Sequence, residues 1–304
     1  MEYKHAIFAL LLVSLSSAAL NLSEVRMDGL EAAMDNVECK TDFMVGVIES
    51  VMENTGEDLQ DDINMLEADT DTLQGYADAG DVAAFRSYVH GTYAPDMRET
   101  RLDVLEARRG ALMNASAREA MREDYDELHG TYVSCNLDSL RRFGNARLQG
   151  YEQVLERAQE KADDLSGKGV DTSGLDSLIA EAKEEVTEPL SEALDEAQNG
   201  TDVREAIMAY CLFNGCKDGT NFHFAVKFEA EKLGSILEFI ADDAEAAGLG
   251  DDVDSAQADI DAAEATIEAA GTSQYPEGEG KQILDDLKDA ARTIKEIVSA
   301  LRSG

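Results

Sequence analysis

Apolar residues in this chain recur at alternating steps of three and four, and only Pro95, Pro189 and Pro276 interrupt its 304 residues. One stripe runs Leu59, Ile63, Leu66, Thr70, Leu73, Ala77; another runs Leu249, Val253, Ala256, Ile260, Ala263, Ile267, Ala270. That spacing places each stripe along one side of a helix, as in a coiled-coil seam or a long bundle. The expectation is an all-α fold, an elongated bundle or coiled-coil-like array of antiparallel helices. Alanine at several seam positions implies closely approaching helices with modest burial per layer, and the stripes read as core.

A weak internal repeat accompanies the stripes. Leu165 to Ser173 opens the stripe Leu175, Leu178, Ala182, Val186; Gly248 to Ser255 opens another; Asn54-Thr-Gly56-Glu-Asp-Leu59 opens the first. Glycine is suited to ending a helix, and Asp or Ser to capping the next. The sequence turns again at Ala79-Gly80-Asp81, Asn199-Gly200-Thr201 and Glu277-Gly278-Glu279, and Cys135 and Cys216 each precede a glycine, Gly169 and Gly250, by 34 residues. About three helical units are expected, at 36–130, 131–213 and 214–304, after a leader at 20–35. Residues 95–128 read as an extra helix with Met97, Leu102, Leu105, Leu112, Met121, Tyr125 and Leu128 on its apolar side.

The N-terminus has the three parts of an export signal: a charged start at Lys4 and His5, an apolar run Ala6 to Val13, and Ser16-Ser17-Ala18-Ala19. Residues 1–19 are expected to be a cleaved signal peptide. The apolar stretch is shorter than the roughly 20 residues of a spanning helix, so no membrane span is expected in the mature chain. Export predicts an extracellular or cell-surface location, where thiols oxidise. Cys39, Cys135, Cys211 and Cys216 allow three pairings. Cys39 with Cys135 is preferred, because it ties two distant helices and removes far more freedom from the unfolded chain than the tight loop Cys211 to Cys216 would. Cys211 and Cys216 lack the spacing of a zinc site.

Sixty-four acidic against 26 basic residues give a formal charge of -38. At low ionic strength such a surface repels itself; in about 1 M salt the screening length falls to roughly 3 Å. The acids are spread along the chain, which suits concentrated salt and argues against nucleic-acid binding, since phosphate contacts need basic patches. The pairs Arg108-Arg109 and Arg141-Arg142 are expected to bond neighbouring helix carboxylates. Weak calcium binding is compatible with the acids, but Asp69-Thr-Asp71-Thr-Leu73-Gln-Gly75 has leucine at the third ligand position, and Asp251-Asp252-x-Asp254 is incomplete. Those last acids fit the first turn of a helix.

Catalytic patterns are missing. His90, His129 and His223 form no zinc helix, there is no nucleophile elbow or phosphate loop, and Asp126-x-x-His129 stands alone as a di-iron fragment. The expectation is not an enzyme, with no cofactor and no catalytic or metal residues assigned. The segment Asn214 to Phe228 gathers three phenylalanines in an aromatic-poor chain. Phe224 and Phe228 are expected to pack inward with Leu233, Leu237 and Ile240, and Tyr88, Tyr93, Tyr132 and Tyr210 to pack at helix ends. Asn199, Asn114 and Asn21 head glycosylation patterns, with Asn199 best placed in a turn.

With the signal from Ala6 to Ala19, the acidic body and the Gly169-Val-Asp-Thr-Ser173 type of hairpin, the chain resembles exported helical coiled-coil repeat proteins of salt-adapted archaea. The likeness implies a surface role and transfers no active site. The function expected is a secreted or cell-surface structural or protein-interaction module, binding a protein partner or itself through a helical face. The alternative is an extracellular helical protein that binds a cation or small ligand.

Overall fold

A computed structural model of the protein describes residues 23–111, 115–209, 220–270 and 279–303. The expected signal peptide, Asn21, Asn114, Tyr210, Cys211 and Cys216 lie outside the described residues. The described chain is all-α. Its helices are α1 (Ser23–Thr55), α2 (Gln60–Asp78), α3 (Val82–Tyr88), α4 (Ala94–Ala111), α5 (Ala115–Ser166), α6 (Ser173–Ala182), α7 (Glu188–Glu196), α8 (Gly200–Ala209), α9 (Thr220–Ala246), α10 (Gly250–Ala270) and α11 (Glu279–Ser303).

Two prolines that the sequence suggests as interruptions are absorbed without ending a helix. A π-turn at Val89–Tyr93 joins α3 to α4, and another at Lys183–Thr187 joins α6 to α7. Pro95 and Pro189 each stand two residues beyond a π-turn. Proline lacks an N–H and its ring crowds the carbonyl four residues back; the wider preceding turn, with Ala94 N–H on Val89 O and Glu188 N–H on Lys183 O, moves that carbonyl away.

Turn glycines fall largely where the repeat places them. Gly80, Gly169 and Gly248 take left-handed backbone angles (φ 66°, 88° and 78°). After each, the next residue's N–H reaches five residues back, Asp81 to Tyr76, Val170 to Leu165 and Leu249 to Ala244. This is the Schellman closure of a helix end, which glycine permits at no steric cost. The repeat takes Gly250 as the counterpart of Gly169, but Gly248 carries the turn and Gly250 begins α10.

The chain divides into two compact units, one comprising 22–147 with 193–205 and the other 148–192 with 206–304. The boundary expected between residues 130 and 131 falls inside the 52-residue α5. In the second unit a single core joins Tyr151, Leu155, Ala162 and Leu165 of α5 to Leu175, Ile179 and Val186, to Phe224, Phe228, Leu233, Leu237 and Ile240 of α9, and to the α10 and α11 stripes. Phe224 and Phe228 pack inward as expected. The α10 seam Ala256, Ile260, Ala263, Ile267 is buried throughout.

In the first unit, α2 buries Ile63, Leu66, Leu73 and Ala77, as its stripe predicts. Helices α1 and α5 run antiparallel along a seam that is mostly not aliphatic. Asn36 Nδ2 donates to Ser139 Oγ (3.1 Å), Cys39 bonds Cys135, Phe43 stacks on Tyr132 (centroids 4.9 Å), Gly46 faces Leu128, and Ser50 Oγ donates to Asp124 Oδ2 (2.6 Å). The steps on α1 alternate three and four, and those on α5 descend by four, three, four and four. The preferred disulfide therefore forms, inside a coiled-coil register.

Candidate functional site

Helix α4 turns Thr100 and Val104 into the first unit and half-buries Met97 and Ala107. Leu102 and Leu105, read from the sequence as core, face outward instead, 60% and 45% exposed. At 3.6 residues per turn, Arg98, Arg101, Leu102, Leu105, Arg108 and Arg109 share a sector of about 120°, while Glu99, Asp103 and Glu106 lie in a different one. One side of α4 is thus basic and apolar, and the adjoining side acidic.

None of these four arginines forms an ion pair with a carboxylate among the described residues. The expected pairing of Arg108-Arg109 with neighbouring carboxylates is not made, because the acids of α4 occupy the other sector. The other pair divides: Arg142 bonds Asp35 of α1, and Arg141 donates to the backbone carbonyl of Ala197.

A second feature lies beside the disulfide, where α1 and α5 leave a groove of about 400 Å³. Phe43 and Tyr132 wall it and Gly46 and Leu128 line it; a Cβ on Gly46 would stand 2.6 Å from Leu128 Cδ2. Its rim carries Asp42, Glu49, Glu53, Asp124 and Glu127. His129 stacks on Tyr125 at 5.7 Å near Phe43, so this histidine belongs to an aromatic cluster.

A third feature is polar and buried. Thr41 Oγ1 lies 2.9 Å from Thr70 Oγ1 and 3.1 Å from Tyr93 Oη, and Tyr93 donates to Val37 O at 3.2 Å. Tyr88 Oη donates to Asp69 Oδ1 at 2.8 Å. Burial pushes the Tyr93 hydroxyl up to about 12. Tyr88 and Tyr93, expected as packing residues, are thus also hydrogen-bonding residues.

The remaining sequence candidates are placed as follows. Asp69 to Gly75 lies in the middle of α2, so the residues that resemble a calcium loop form no loop. Asp251 and Asp252 form the acidic first turn of α10. Asn199 is exposed, but it caps α8: its Oδ1 accepts the N–H groups of Thr201 (2.8 Å) and Asp202 (3.1 Å), and its Nδ2 donates to Asp202 Oδ2 at 3.0 Å. Among the described residues no three His, Cys, Asp or Glu side chains come together as a metal site, and no helix is long and apolar enough to cross a membrane.

No protein-family model, curated protein or solved structure matches the chain. The fold and these features define, among the described residues, an all-α, disulfide-bonded protein with a basic, apolar face on α4. Sequence reasoning missed that face by following the step from Leu102 to Leu105. A helical projection of residues 94–111, with charge sorted by sector, carries the signal.

Proposed function

We propose that the protein is a secreted or cell-surface acidic helical module that holds a protein partner through α4. The observation that carries this reading is the pair of exposed leucines, Leu102 and Leu105, set among four arginines without carboxylate partners among the described residues. Apolar side chains beside arginine are the composition of interface centres, where desolvated anchors supply most of the affinity. The body repels acidic molecules, so the sector of Arg98, Arg101, Arg108 and Arg109 is where an acidic partner is steered. An acidic helix presenting apolar residues fits best, and a second copy of this chain belongs to that class. The export-like N-terminus and the Cys39–Cys135 bond favour a location outside the cytoplasm.

The test is binding of a Glu-rich amphipathic helical peptide to the full chain, followed by fluorescence anisotropy, with sedimentation to detect self-association. Binding should weaken with salt and fall at least tenfold in L102S/L105S and in R101E/R109E. Equal binding by all three proteins would overturn the reading.

The groove beside the disulfide favours a second reading, a binding protein for an organic cation, because an aromatic wall under a carboxylate rim suits a quaternary ammonium. Choline should then raise the melting temperature, and Phe43→Ala should remove the rise.

A further inference from the structure

We infer that Asp69 and Asp96 together hold a divalent cation, calcium by the chemistry of the donors, beside the π-turn that joins α3 to α4. The inference is independent of the docking face, which uses the outward side of α4.

The argument starts from Asp69. Its side chain comes from the middle of α2, only 5% exposed, in the interior of the first unit. Oδ1 accepts the Tyr88 hydroxyl, but Oδ2 is buried with no hydrogen-bond partner. An unpaired buried carboxylate oxygen is costly and calls for a donor or a cation.

A second carboxylate makes the deficit worse. Asp96, in the first turn of α4, lies within hydrogen-bonding reach of Asp69. Two carboxylates are acceptors only, so neither satisfies the other. A cation of charge two balances both groups.

The surroundings supply hard oxygen. The Tyr88 hydroxyl is on Asp69, and Thr70, the next residue of α2, belongs to a hydroxyl cluster with Thr41 and Tyr93. A π-turn also disturbs the i to i−4 ladder that occupies carbonyls in an ordinary helix, and such turns gather at functional sites. Asp96 is only half-buried and gives the pair a side toward solvent. Because no third acidic, cysteine or histidine side chain among the described residues joins them, the other ligands are hydroxyl, carbonyl and water oxygens. Few charged ligands place the affinity in the range of extracellular modules, about 0.1–1 mM.

The test is thermal unfolding of the full chain in 1 M potassium chloride, which screens the surface acids, with calcium added to 10 mM or removed by a chelator. Calcium should raise the midpoint by about 3–5 °C. Asp69→Asn and Asp96→Asn should each abolish the rise, whereas Asp251→Asn, in the exposed turn of α10, should keep it. Terbium gives a second readout: tyrosine-sensitised emission should saturate at one ion per chain, be displaced by calcium, and be lost in Asp69→Asn. An unchanged wild-type midpoint, or an equal rise in Asp69→Asn, would overturn the site. A wild type blind to calcium and an Asp69→Asn variant more stable than it would overturn it in favour of a proton shared by the two carboxyls.

Discussion

Cys39 on α1 and Cys135 on α5 are joined with their Cα atoms 5.9 Å apart, across a sequence separation of 96 residues. The loop they close contains α2, α3 and α4 whole. In the chain-entropy account, a loop of that size is worth about 4–5 kcal/mol. The double variant C39A/C135A should therefore lower the urea midpoint of unfolding sharply, and its first unit should exchange backbone hydrogens faster than its second. Equal midpoints would mean that the loop is already restricted in the unfolded chain.

Gly46 and Gly29 both lie on α1, and they should respond oppositely to alanine. A Cβ at Gly46 meets Leu128 at 2.6 Å, whereas one at Gly29 meets nothing within 4 Å. Gly46→Ala should destabilise by about 1–3 kcal/mol through overpacking. Gly29→Ala should stabilise by about 0.5–1 kcal/mol, since alanine restricts the unfolded chain. Denaturant titration of the two single variants decides it.

Gly248 and Gly250 provide a second contrast. Gly248 has φ 78°, so Gly248→Ala should cost about 1–2 kcal/mol. Gly250 opens α10 in open space, and Gly250→Ala should be neutral or mildly stabilising. A larger loss at Gly250 would restore the repeat alignment that pairs it with Gly169.

Acidification should stabilise this protein over part of its range. Burial first, and neighbouring acids after it, hold the carboxyls of Glu38, Glu264 and Asp286 above their usual values; burial does the same for Asp62 against a hydrogen bond from Thr100. A raised folded-state value means a contribution that is full below the unfolded values near 4 and is lost as pH rises through the folded ones. Two groups oppose this. Asp171 is lowered by hydrogen bonds from Ser173, and burial lowers His223, which costs stability below about pH 6.5. The raised carboxyls are more numerous, and protonation also relieves the charge of -38. In 50 mM salt the melting temperature should be higher at pH 4.5 than at pH 6.5. In 3 M potassium chloride the difference should shrink as repulsion is screened. A fall on acidification at low salt would show that ionised carboxylates stabilise the fold.

Legibility followed the chemistry of each contact. The α2 and α10 seams were readable because aliphatic side chains at three-four steps have one good burial site, and Leu66, Leu73, Ile260 and Ile267 occupy it. The α1–α5 seam has the same steps, but Asn36, Cys39, Phe43, Gly46 and Ser50 share no hydropathy. Only their partners Ser139, Cys135, Tyr132, Leu128 and Asp124 make the pattern visible. Pro95 and Pro189 looked like interruptions because a single sequence does not announce a π-turn. Leu102 and Leu105 misled because small or polar residues, Thr100 and Ala107, take part in the inward side of α4. Asp69 looked like the start of an incomplete calcium loop. Its burial depends on Tyr88, 19 residues away, and on the turn that carries it.

The bond between Cys39 and Cys135 also governs what a single proteolytic cut can do. A protease that cuts at Gly56 or Gly80, turns inside the closed loop, opens the backbone without separating the pieces. The cut chain remains one covalent molecule, with its α1 half still tethered to α5, and runs at full length on a gel until a reductant is added. A single scission there leaves α4 attached to the rest of the protein, so that damage to the chain and loss of its basic, apolar helix are separate events.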